Sequence, residues 1–122
     1  MWKVIAQSIT GTAHVTIGRG CDDAHAWVLK QAEGEDIFIA CASDGAGSAS
    51  QSAAAAAVVV RFVVDYLGDI VSLQQQPTEA QLIAMAEEVH LMLTGMAEEN
   101  NMPLYEYACT MLGCIVSPGG GA

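Results

Sequence analysis

The sequence predicts an α+β domain, and three observations carry that prediction. Strand-like runs fill residues 2–43. Two long stretches with helical spacing follow, the first from Ala53 to Leu67 and the second opening at Thr78. A last apolar run, Tyr107–Ser117, has the Thr, Val and Ile of a strand. Strands, then helices, then a strand is the order of an antiparallel sheet with its helices grouped together, not of a repeated strand–helix unit.

Each element follows from local chemistry. Trp2–Ile9 alternates loosely between apolar and polar residues and reads as a strand; Thr12–Ile17 reads as a second, after a turn at Gly11. The glycines and acids of Gly18–Asp23 make a loop. Ala24–Gln31 alternates again, and the polar turn Glu33–Asp36 joins it to Ile37–Ser43 as an antiparallel hairpin. Ile37–Ser43 is almost wholly apolar, which predicts a central strand buried on both faces. The five alanines from Ala53 favour helix, with Ser48, Ser50 and Ser52 as candidate N-caps. Val58, Val59, Phe62, Val63, Tyr66, Leu67 and Ile70 form its apolar stripe, and Gly68 is expected to weaken or end it. Pro77 and Thr78 open the second helix. Leu82, Ile83, Met85, Ala86, Val89, Leu93 and Met96 form its apolar side, its glutamates are solvated, and "NNMP" ends it. Tyr107–Ser117 is a further buried strand, and the closing "PGGGA" reads as a turn or a cut end. There is no internal repeat.

Composition narrows the function. A chain of 122 residues is one domain or part of one, and 52% apolar against 15% charged residues is a globular balance. Fourteen acids against 4 bases give a net charge of −10. That argues against nucleic acid and against anionic membrane surfaces as partners, both of which need Lys and Arg. It is compatible with a divalent cation. The 4 cysteines form no CxxC pair, so zinc and thioredoxin-like chemistry are not expected, and they read as reduced, small hydrophobic residues. "MWKVIAQSITG" lacks the apolar core of a signal peptide, and the apolar run Ala53–Val60 is stopped by Arg61 before it could span a bilayer. The expectation is a soluble, cytoplasmic chain.

Two acidic positions fall where strand meets loop: the pair Asp22–Asp23, and Asp44 in "SDGAGSAS". If the two strands are neighbours, these carboxylates converge at one end of the sheet. Converging carboxylates are unfavourable without a cation, and a hard divalent ion with oxygen ligands is the natural partner. Gly45 could add its backbone carbonyl. Read singly, Asp44 is a turn residue and Asp22–Asp23 a solvated loop, so neither motif decides alone. A nucleotide-binding loop lacks its GxxxxGK[ST] spacing, and "GAGSAS" is not the GxSxG of a hydrolase nucleophile.

Taken together, "CDDAHA" followed by "FIACASDGAGSASQSAAAA" resembles the PP2C (PPM) family of metal-dependent protein serine/threonine phosphatases. Asp22-Asp23-Ala24 matches the family's acidic pair before a strand, and Asp44-Gly45-Ala46-Gly47 matches its D-G-x-G after one. The opening, with His14 and Cys21, is similar to the bacterial branch, and Cys109-Thr110 stands where the family usually carries a Thr-Thr pair. The resemblance implies a PP2C-like antiparallel β-sandwich flanked by helices in α-β-β-α layers, truncated after its first strands and two long helices. Residues 1–122 would be the N-terminal portion of a single such domain.

The same resemblance implies hydrolysis of phosphoserine and phosphothreonine on proteins by water activated at two or more Mg²⁺ or Mn²⁺ ions. Asp44 would bridge metals, with Gly45 as a carbonyl ligand. Asp23 and Asp22 would contact metal or metal-bound water, with Asp44 and Asp23 the catalytic pair. Arg19 could stand in for a phosphate-binding arginine, and His14 could support the site from behind. Partners would be a phosphoprotein substrate and a cognate kinase. The family's later aspartates, which complete the metal site, have no counterpart in this sequence, so the chain alone is expected to bind metal poorly; separately, Ala46 stands where eukaryotic members carry a histidine proposed as general acid. The rival readings are a non-catalytic pseudophosphatase or regulatory module that keeps the fold, and an assembly in which another chain supplies the missing half.

Overall fold

The computed structural model describes residues 3–8, 22–74, 76–118 and 120–121. Four antiparallel strands form one sheet in the order β1-β2-β3-β4: β1 Ala24–Ala32, β2 Glu35–Ser43, β3 Leu112–Ser117 and the two-residue β4 Gly120–Gly121. Between β2 and β3 run two helices, α1 Ser52–Gln74 and α2 Glu79–Glu99, and a 3-10 turn, Leu104–Tyr107. The α+β expectation holds.

The hairpin closes where the polar turn predicts. Ala32 pairs with Glu35, and the two residues between them take left-handed backbone, Glu33 at φ 52° and Gly34 at φ 79°. Two successive positive φ values make the tight turn whose twist matches that of paired strands.

β2 is central, paired to β1 on one side and β3 on the other. Only one of its faces is buried. Ile37, Ile39, Cys41 and Ser43 lie under the helices, whereas Phe38 and Ala40 are half-buried and Ala42 is exposed. The expectation of burial on both faces is corrected: no second sheet covers the opposite face among the described residues. On that face Trp27 stacks on Phe38 with ring centroids 6.3 Å apart, and Trp27 remains 41% exposed.

α1 covers the sheet. Its buried face is Ala55, Ala56, Val59, Val60, Val63, Val64, Leu67 and Val71, rotated slightly from the predicted stripe, so that Phe62, Tyr66 and Ile70 become half-buried flanks. Alanine at 55 and 56 lets the helix start close against its neighbours. Gly68 does not end the helix. It lies under the Lys30 stem, where a Cβ would come 2.9 Å from Cε, and Leu67 and Val71 beside it are buried. That burial outweighs the roughly 1 kcal/mol helical penalty of glycine.

α2 starts at a capping box. The Thr78 hydroxyl accepts from Gln81 N–H at 3.2 Å, and Gln81 Oε1 accepts from Thr78 N–H at 2.9 Å. It ends, as "NNMP" predicts, in a paired closure: Met102 N–H donates to Ala97 O at 2.9 Å, Asn101 N–H donates to Glu98 O at 3.2 Å, and Asn101 takes φ 52°. Its buried residues are Met85, Val89 and Ala97. Leu82 and Ile83, predicted on the buried side, are 41% and 53% exposed, because α2 packs beside α1 rather than on the sheet. A second small core forms around buried Tyr107, Ala55 and Ala97, and Asn100 Nδ2 donates to the Tyr107 hydroxyl at 2.9 Å.

Two strand expectations are corrected. Residues 3–8 take no regular structure, and the strand predicted from Tyr107 begins only at Leu112. The residues before it form the 3-10 turn and an isolated bridge, Gly45 to Cys109. The predicted strand Thr12–Ile17 lies outside the described residues.

Candidate functional site

The hairpin register builds the site. Ala24 pairs with Ser43, so Asp23 and Asp44 occupy the next opposed positions, where β1 starts and β2 ends. Both line one open hollow, together with Ser8, His25, Ser43 and Thr110. Adjacent residues of an extended chain point to opposite sides. Asp22 therefore turns away from the hollow: it is 5% exposed, and its backbone carbonyl accepts the Gly45 N–H at 3.2 Å. Gly45 is buried on the same side and also does not line the hollow.

Of the candidate residues, the fold thus brings Asp23 and Asp44 together and sets Asp22 and Gly45 beneath the turn. His14 and Arg19 lie outside the described residues. Among the described residues, no group of three or more His, Cys, Asp or Glu side chains is arranged to hold a metal ion.

The turn after Asp44 is held by a distant segment, residues 106–110. Thr110 N–H donates to Asp44 O and Ala46 N–H donates to Ala108 O, both at 2.9 Å. Further along, Gln51 N–H donates to Glu106 O at 2.8 Å, and the Glu106 carboxylate accepts from the Ser50 hydroxyl at 2.8 Å and the Ser50 N–H at 3.3 Å. Ser50, a candidate helix cap, is instead bonded to Glu106. Ser52 is the first helical residue and donates to Ala49 O at 3.1 Å.

Two contributors were not singled out from sequence. Glu106 gave no local signal, since its partners are 56 residues away. His25 could have been found by counting two from Asp23 along a strand, which puts both on one face. Its Nδ1 lies 2.7 Å from Ser8 Oγ, which ties the segment 3–8 to the rim of the hollow.

Comparison with known proteins places the chain in a family. The family model described as Protein phosphatase 2C matches residues 10–122. The chain belongs to the protein phosphatase 2C family. It is also 31% identical over 124 aligned residues to Serine/threonine-protein phosphatase 3 of Escherichia coli (strain K12), an alignment covering 98% of this chain and 48% of that protein. The chain spans about half the length of that curated relative. No solved structure gives a significant match. The isolated bridge from Gly45 to Cys109 seats the turn after Asp44 against the segment that leads into β3.

Proposed function

We propose that the hollow at Asp23 and Asp44 is part of a metal-dependent phosphatase site that hydrolyses phosphoserine or phosphothreonine on proteins. The observation that carries this reading is the hairpin register, which sets these two carboxylates opposite each other at a rim lined with further oxygen-bearing side chains. Family membership and the phosphatase name of the relative support it.

The donors suit a hard cation. Asp23 and Asp44 offer carboxylate oxygens, with the Thr110 hydroxyl beside them, and such oxygen donors favour Mg²⁺ or Mn²⁺ over softer metals. A cation is also needed on electrostatic grounds, because a phosphate dianion entering an acidic hollow on a chain of net charge −10 would otherwise be repelled. When bound, the divalent ions supply charge neutralisation for phosphoryl oxygens and a water of lowered pKa. The chain's own part is to hold and aim. Asp23 and Asp44 would be the ligands, the segment at Thr110 fixes the backbone of Asp44, and the bond from Ser8 to His25 steadies the rim.

A phosphoprotein substrate, a kinase that installs its phosphate and a cytoplasmic location belong to the same proposal. The placement of Asp22 away from the hollow favours a second reading, a non-catalytic module that keeps the fold. The test is hydrolysis of a phosphothreonine peptide by the full-length gene product with Mn²⁺, with Mg²⁺ and with chelator. Turnover that needs the metal supports the phosphatase; none with either ion, from folded protein, supports the module.

A further inference from the structure

We infer that the Thr110 hydroxyl is a positioning device for Asp44, and its consequence for activity rests on the phosphatase reading above. The regular ladder between β2 and β3 ends at the pair Ala42–Leu112, and pairing resumes only at the isolated bridge Gly45–Cys109. The register is the same at both ends, so Asp44 and Thr110 stand opposite each other across the gap. In a regular antiparallel pair two such residues would exchange N–H to carbonyl bonds in both directions. Here half of that exchange is present: Thr110 N–H donates to Asp44 O at 2.9 Å. In the other direction the Asp44 N–H donates to Thr110 Oγ1, also at 2.9 Å, while the Thr110 carbonyl accepts the Ser43 hydroxyl.

A side chain has therefore taken over a ladder position at Asp44, which lines the hollow. Three bonds converge on the Ser43–Asp44 step from one residue, Thr110, 66 to 67 positions away. The acceptor of the Asp44 N–H exists only if residue 110 carries a hydroxyl. An oxygen that accepts from Asp44 N–H also keeps its own proton to donate, and Thr110 lines the hollow. Removing the hydroxyl leaves the fold's backbone pairing in place but frees the peptide plane that sets the Asp44 side-chain direction. A shift of about 1 Å in a reacting geometry can lower a rate roughly 100-fold.

The choice of substitution separates positioning from packing. Thr110→Val keeps the shape and the strand preference and loses the hydroxyl; Thr110→Ser does the reverse. Both are made in the full-length protein, with Thr110→Ala as a third variant should valine's second methyl not be accommodated. Two readouts are taken: hydrogen exchange of the Asp44 backbone amide by NMR, and Mn²⁺ affinity with kcat on a phosphothreonine peptide. The expected result is exchange at Asp44 roughly 3- to 10-fold faster in Val and Ala and unchanged in Ser. Mn²⁺ affinity or kcat should fall about 10-fold or more in Val and Ala, with Ser close to wild type. Unchanged Asp44 exchange in Val, or loss in Ser as great as in Val, would overturn the inference. A wild-type protein without metal-dependent hydrolysis overturns the phosphatase reading instead, and the exchange comparison still decides whether the hydroxyl positions Asp44.

Discussion

Gly45 lies against the backbone of Asp22 so closely that there is no room for a side chain. A Cβ at Gly45 would stand 2.5 Å from the Asp22 carbonyl oxygen and 2.9 Å from the Ser52 Cβ. Neither neighbour can yield cheaply, since one is backbone that accepts the Gly45 N–H and the other opens α1. Gly45→Ala should destabilise the fold by about 2–3 kcal/mol, as overpacking at a fixed site does. Urea denaturation of the variant checks this, and an unchanged midpoint would show that the turn is looser than described.

Gly95 gives the opposite expectation. It lies within α2, and nothing stands within 4 Å of a Cβ built there. Gly95→Ala should stabilise by about 0.5–1 kcal/mol through helix propensity and a stiffer unfolded chain. Thermal melting of the two proteins measures it.

Thr78 carries the start of α2. Thr78→Ala removes the hydroxyl that accepts from Gln81 N–H, and with it one side of the capping box. The expected loss is about 1 kcal/mol, whereas Thr78→Ser should stay near wild type. A loss shared equally by the serine variant would point to packing of the methyl group instead.

Much of this fold was legible because it is local. The period-2 runs on either side of "EGED", the alanine-rich helix and the Thr78 cap are short-range patterns, and all reappear. What was not legible depends on distant partners. Nothing near Tyr107 shows that the strand waits until Leu112, because the residues between serve the turn after Asp44 through pairings 56 to 67 positions apart. The apolar composition of Ile37–Ser43 suggested two covered faces, yet composition cannot say how many layers are present, and among the described residues it is the helix side that is covered. At the end of the hairpin, the juxtaposition of Asp44 and Asp23 was readable from sequence, but the alternation that turns Asp22 inward depends on where β1 begins.

Cys41 introduces a pH dependence. Burial pushes its thiol up from 9.0 to about 11, with smaller contributions from Cys109 and Cys114. The folded chain thus keeps a proton that the unfolded chain releases. Stability from this group is complete below pH 9 and is lost as pH rises towards 11. The wild type should lose melting temperature more steeply over that window than Cys41→Ala. At pH 8, iodoacetamide should also modify half-buried Cys109 and Cys114 before Cys41.

The central claim is that Asp44 and Asp23 act together on a divalent cation at the end of the hairpin. Calorimetric titration of Mn²⁺ into the full-length protein, beside Asp44→Asn matched for folding by melting temperature, tests it most directly. The variant should bind roughly 10- to 100-fold more weakly. Equal affinity in the two proteins would contradict it.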